Sequence, residues 1–236
     1  MSEEIEWWDY DDAAEMAAAV AGDIGFIIDS AIEARGSAVI ALAGGKTPIP
    51  IYEKLAAAKL DWKRVTIVPG DERMVPLGDP LSNVTVLAKY FLPKGARVMP
   101  IVPNATGDYK AAGRSADALM QDLHWPLDLC LLGVGSDGHA ASIFTGPDFE
   151  EAVNGPKERR ALGVLPDPMP SDAPVARVTL SLAAITTARA LMIAATGDAK
   201  RAVIETAIKQ GPASPYPIGR ALAGTDLPVD IHWAPA

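Results

Sequence analysis

Asp137-Gly138-His139 places an imidazole on a glycine turn two residues after a carboxylate. That pairing suits proton transfer near neutral pH, with His139 as base and Asp137 orienting the ring or holding its charged form. A second set lies in Gly44-Gly45-Lys46-Thr47-Pro48. Two glycines let the backbone approach a ligand, their N–H groups can point at phosphate oxygens, and Pro48 opens a helix whose positive end favours an anion. Thr47 adds a hydroxyl in position to cap that helix. Asp71-Glu72-Arg73 supplies a guanidinium fork for phosphate, with acidic neighbours to fix its direction. Lys200, in "TGDAKRAV", adds a cation at the start of a further helix. Each set also has a plainer reading: a ligand-free turn, a helix-capping histidine, a surface ion-pair loop, a solvated lysine.

Spacing argues against two nucleotide fingerprints. "GKT" tempts toward a P-loop, but the glycine required five places earlier is Ile40. Gly133 to Gly138 reads G-x-G-x-x-G after an apolar run, yet the chain then continues as "HAASIFTGPDFEEAVNGP". That Gly/Pro-broken segment is not a βαβ unit closed by an acidic residue, so NAD is not expected.

The elements that must position these loops are apolar runs alternating with helical patterns. "SAVIALA", "RVTIVP", "LDLCLLG" and "ALMIAAT" lack polar alternation, as strands covered on both faces do. Between them lie helical stretches: one capped by Asp11 or Asp12 and stopped at Gly36, one opened by Pro48, one capped by Ser82, one over Tyr109 to His124, and one from Asp198 to Lys209. "RVTLS" and "VDIHWA" read as further strands, "LAAITTA" as a short helix, and Gly146 to Pro174 as an irregular Pro/Gly/charged stretch. The fold class expected is α/β: a doubly wound, mostly parallel sheet flanked by helices on both faces, a Rossmann-like open sheet, with residues 1–236 as a single domain. In such sheets ligands gather beyond the carboxyl ends of strands, where the three loops fall. His124 and His232 read as local hydrogen-bonding residues, Cys130 as core, and Trp7, Trp8 and Tyr10 as anchors of the N-terminal segment.

Composition narrows the partners. The chain has 236 residues, 49% of them hydrophobic, enough for a real core. Thirty acidic against 21 basic residues give a net charge of −9, and no Lys/Arg cluster appears, so nucleic acid is not expected. No apolar run reaches bilayer-spanning length, so no membrane partner is expected. The acidic N-terminus lacks a signal peptide's basic region, and the single cysteine cannot form an internal disulfide. The expectation is a cytoplasmic protein. No Cys or His pair has ligand spacing, so no metal is expected. The residues leave the oligomeric state open, a monomer included.

Taken in order, "AGGKTP", "GDERMVP…SN", "LGVGSDGHAASIF" and "TGDAKRAV" resemble the 6-phosphogluconolactonases, within the wider glucosamine-6-phosphate deaminase/lactonase superfamily. The resemblance runs from about Ala43 to Lys200. It departs from the family pattern at Ala43, usually Ser, at Ala140, usually Thr, and at Thr145, usually Pro. The first loses one phosphate hydrogen bond and the second a side-chain contact near the histidine. The deaminase branch carries Asp-Glu-Tyr where this chain has Asp71-Glu72-Arg73, and a Phe-Asn-Glu-Pro run where this chain has "AASIFT", with no carboxylate.

The resemblance implies hydrolysis of 6-phospho-D-glucono-1,5-lactone to 6-phosphogluconate without metal or cofactor. It gives His139 the general base and Asp137 its orientation. It gives Gly44, Gly45, Lys46, Thr47, Arg73 and Lys200 the phosphate, and Asp71 a sugar hydroxyl. Two other classes remain: a glucosamine 6-phosphate isomerase or deaminase, and a non-catalytic sugar-phosphate sensor. A sensor normally carries a DNA-binding module, whereas this sequence is expected to begin directly with its first helix.

Overall fold

The computed structural model describes residues 5–102 and 107–236. Strands β1 (Ile5–Asp9), β2 (Ala38–Leu42), β3 (Val65–Pro69), β4 (Asp71–Arg73), β5 (Arg97–Val98), β6 (Leu129–Leu132), β7 (Ala161–Val164), β8 (Arg177–Leu180), β9 (Leu191–Thr196) and β10 (Val229–Ala234) form two sheets. Helices α1 (Ala13–Arg35), α2 (Ile49–Ala56), α3 (Asn83–Phe91), α4 (Tyr109–Gln121), α5 (Phe149–Asn154), α6 (Leu182–Thr186), α7 (Asp198–Gln210) and α8 (Pro217–Gly224) connect them. Seven strands pair in the order β1-β10-β9-β6-β2-β3-β5, every pair parallel. The other three form an antiparallel sheet, β4-β8-β7.

The large sheet lies between two apolar layers. Alternate residues of β2 show how: Ala38, Ile40 and Leu42 face a cluster with α1, α2 and Phe91, while Val39 and Ala41 face one with α4 and α8. All five are buried, which is why the run shows no polar alternation. α1 starts where Asp12 accepts hydrogen bonds from the N–H groups of Ala14 and Glu15, and stops at Gly36 in the left-handed region, φ 81°.

Several expectations need correction. The first element is a strand, β1, not the helix; it holds the sheet edge beside β10, and Trp8 and Asp230 hydrogen-bond across the pair at 3.0 Å. Asp71-Glu72-Arg73 is strand β4, not loop, because Glu72 pairs with Val178 and Arg73 with Arg177. The stretch Gly146 to Pro174 contains α5 and β7. "RVTLS" yields β8, which joins the antiparallel sheet instead of the parallel one. The four strands among these, β1, β4, β7 and β8, are short and held by pairings distant in sequence, so local periodicity carries little of their signal.

Cys130 is buried, and burial pushes its thiol up to about 12, as befits an inert core residue. His232 is 1% exposed; its Nδ1 and the Tyr10 hydroxyl are 2.9 Å apart, and Nε2 has no partner among the described residues. Burial, the larger influence, lowers its pKa from 6.5 against the opposing pull of Asp23 and Asp230. In the window between that lowered value and 6.5, the unfolded chain binds more protons than the folded one. Stability present at higher pH is therefore lost as pH falls through about 6.5. Thermal melts from about pH 7.5 to about 5.5 should show a falling Tm, and His232→Gln should flatten that fall.

Candidate active site

β2, β3 and β6 all end at one mouth of the sheet, and the loops leaving them meet there. A cleft of about 250 Å³ is lined by Gly44, Gly45, Lys46, Thr47, Asp71, Arg73, His139 and Lys200. Asp137 does not line it but holds His139 from behind, Oδ1 to Nδ1, at 2.5 Å. That hydrogen bond, first among the influences, keeps the Asp137 carboxyl below the usual carboxylate range. The second imidazole nitrogen, Nε2, has no protein partner among the described residues. Phe144 fixes the ring plane, stacking on it with centroids 4.2 Å apart at 29°.

The glycines of "GVGSDG" serve this histidine. A Cβ built on Gly135 would lie 2.2 Å from both Cε1 and Nδ1 of His139 and 2.4 Å from Asp137 Oδ1. Gly138, at φ +78°, turns the chain so that a Cβ there would meet the Tyr216 ring at 2.5 Å. Gly133 has nothing nearer than 4.0 Å. A letter-perfect nucleotide motif is thus a device for seating an Asp–His pair against the backbone.

The chain leaves β2 through Gly44 and Gly45, the latter at φ +90°, and enters α2, and this turn lines the same cleft as His139. The N–H groups of Gly44, Gly45, Lys46 and Thr47 have no protein acceptor among the described residues. They surround the positive end of α2, an arrangement suited to an anion. Thr47 does not cap α2; Pro48, already helical at φ −81° and ψ −7°, occupies the cap position without a side-chain bond. The Thr47 hydroxyl is left to the cleft. Lys46, Arg73 and Lys200 form no ion pair among the described residues. Burial lowers the Lys200 pKa, and a bound anion would offset that cost by favouring the charged amine.

Arg73 is not steered by its acidic neighbours as expected. Its Nη1 donates to Leu81 O at 3.0 Å and Asn83 Oδ1 at 2.7 Å. Glu72 instead turns inward and accepts from the N–H groups of Arg73, Asn83 and Val84, each at 2.8 Å, and from the Ser82 hydroxyl at 3.0 Å. It thereby fastens β4 to the start of α3, where Ser82 caps the helix by accepting from Thr85 N–H. Asp71 is nearly buried and accepts from Ser142 Oγ at 2.5 Å and Asn83 Nδ2 at 3.1 Å. Asp172 also lines the cleft, and no sequence signal singles it out, because it lies in an irregular stretch without a motif. Arg220, by contrast, lies away from this mouth, beside Phe149.

A parallel open sheet with a turn of unpartnered backbone N–H groups and an Asp–His pair at one mouth defines an α/β protein with a polar cleft at the carboxyl ends of its strands. The family model described as glucosamine-6-phosphate isomerases/6-phosphogluconolactonase matches residues 11–233, and the chain belongs to that family. It is 36% identical over 233 residues to a 6-phosphogluconolactonase of Mesorhizobium japonicum, covering 97% of this chain and 95% of that one. It is 33% identical over 228 residues to the protein of the same name from Pseudomonas putida, covering 95% and 90%. Among solved structures, a 6-phosphogluconolactonase from Shewanella baltica superposes with a TM-score of 0.89 at 27% identity, covering 99% of each chain. The Trypanosoma brucei 6-phosphogluconolactonase gives 0.84 at 28%, covering 98% of this chain and 96% of that one.

Proposed function

We propose that the chain hydrolyses 6-phospho-D-glucono-1,5-lactone to 6-phospho-D-gluconate, acting in the cytoplasm as one domain, without a metal, nucleic acid or membrane partner. The observation that carries this reading is the sharing of one cleft by an anion cradle and an imidazole with a free nitrogen. The N–H groups of Gly44 to Thr47, with Lys46, Arg73 and Lys200, hold the 6-phosphate. His139 Nε2 takes a proton from the attacking water while Asp137 stabilises the imidazolium. The water oxygen bonds to C1, the bond from C1 to the ring oxygen breaks, and the imidazolium returns the proton to that oxygen. Asp71 accepts from a sugar hydroxyl. A δ-lactone is already an activated ester, so general-base help of about 10²–10⁴-fold is a large share of what is needed.

The test adds purified chain to freshly made lactone at slightly acidic pH, where spontaneous opening is slow. Accelerated lactone loss that persists in EDTA is expected. No acceleration, or ammonia release from glucosamine 6-phosphate, would overturn the reading. Arg73→Ala should raise KM for the phosphorylated lactone at least about tenfold, the loss of one charge-assisted bond, with little change for unphosphorylated gluconolactone. An equal effect on both substrates would remove Arg73 from phosphate recognition.

A further inference from the structure

Asn83 is 2% exposed and bonds two residues that line the cleft, Arg73 and Asp71, without lining it itself. Its Oδ1 accepts from Arg73 Nη1 at 2.7 Å. Its Nδ2 donates to Asp71 O at 2.8 Å and Asp71 Oδ1 at 3.1 Å. These partners leave one orientation for the amide, since a guanidinium can only donate and a carboxylate, when ionised, only accept. The amide also lies against the twin-glycine turn: a Cβ built on Gly44 would sit 2.2 Å from Asn83 Oδ1. From Asp71 the chain of bonds continues through Oδ2 to Ser142 Oγ at 2.5 Å. Ser142 is three residues beyond His139, and its N–H is held by Thr179 Oγ1 at 3.1 Å.

We infer that Asn83 is a positioning residue that aligns the phosphate grip and the histidine loop through two opposite faces of one amide. No other uncharged side chain of that size both accepts from Arg73 and donates to Asp71, while Glu72, bonded to the Asn83 N–H at 2.8 Å, fixes where the amide stands. Arg73, with Nη1 committed to Asn83 and Leu81, keeps Nη2 for the anion. Asp71, with both oxygens engaged, steadies the segment that carries His139. The inference rests on the lactonase reading for its kinetic consequences but not for its effect on anion binding.

Two variants separate the faces. Asn83→Asp keeps an acceptor for Arg73 and turns a carboxylate toward Asp71; Asn83→Ala removes both bonds. Affinity for inorganic phosphate is measured by calorimetric titration, and kcat and KM with the phosphorylated lactone. Asn83→Asp should hold phosphate within about threefold of the parent while kcat falls at least about tenfold; Asn83→Ala should lose at least about tenfold in both. Parent-like phosphate affinity and kcat in the alanine variant would overturn the inference. So would a loss of phosphate affinity in the aspartate variant as large as its loss of kcat, since a purely structural residue gives no such split. Should Asn83→Ala fail to fold, the split in Asn83→Asp decides alone. Should the parent not hydrolyse the lactone, phosphate titration decides: affinity kept by aspartate and lost by alanine supports Asn83, and any other pattern refutes it.

Discussion

His139→Ala is expected to lower kcat for the phosphorylated lactone by about 10²–10⁴-fold while KM stays within a few fold. The asymmetry comes from the division of roles in the proposed mechanism. There the imidazole is the base and Gly44 to Thr47 with Arg73 grip the phosphate, all lining one cleft, so loss of the ring removes the base but leaves the grip in place. Stability should change little, because the ring is one-third exposed and packs chiefly on Phe144. Steady-state kinetics with a melting curve on the same preparation separate these quantities. A variant that turns over near the parent rate would take His139 out of the mechanism.

Gly135→Ala should come close to the same loss by a different route. The added methyl would occupy space taken by the imidazole and the Asp137 carboxylate, both side chains that can swing away. Gly135 has no left-handed φ, so the backbone accepts alanine without strain. The expected result is a folded protein, with a near-normal Tm and phosphate affinity, whose kcat falls by about 10² or more. Combining Gly135→Ala with His139→Ala should be no worse than His139→Ala alone, since both remove one function. Gly133 lines the cleft, but a Cβ there meets only Ala43 and neither member of the Asp–His pair, so Gly133→Ala serves as a control that should keep kcat well above that of Gly135→Ala. Loss in the control as large as in Gly135→Ala would show that the loop tolerates no side chain anywhere, and the specific argument for Gly135 would fall.

The parallel sheet was legible because β2, β3, β6 and β9 are apolar on both faces, and the loops after them stand out as glycine, acid and cation. The caps at Asp12 and Ser82 were legible for the same local reason: each bonds an N–H two or three residues on. What escaped is what depends on distant partners. β4 exists because Asp71 pairs with Thr179, more than a hundred residues away, and three residues carry no period. β1 is an acidic, aromatic edge with three of its five residues exposed, so it lacks the buried run that marked the other strands. Asn83 was visible as the residue after a helix cap and as the end of "GDERMVP…SN", but its bonds to Arg73 and Asp71 appear only when β4 and α3 meet. Thr47 reads as a cap by residue type, but Pro48 is already helical and takes that place.

A crystal structure with 6-phosphogluconate bound tests the central claim most directly. The phosphate should lie within hydrogen-bond distance of the Gly44–Thr47 N–H groups and Arg73, with the C1 carboxylate beside His139 Nε2. A product bound in the reverse sense, with its phosphate at the imidazole, or seated outside this cleft, would contradict the account.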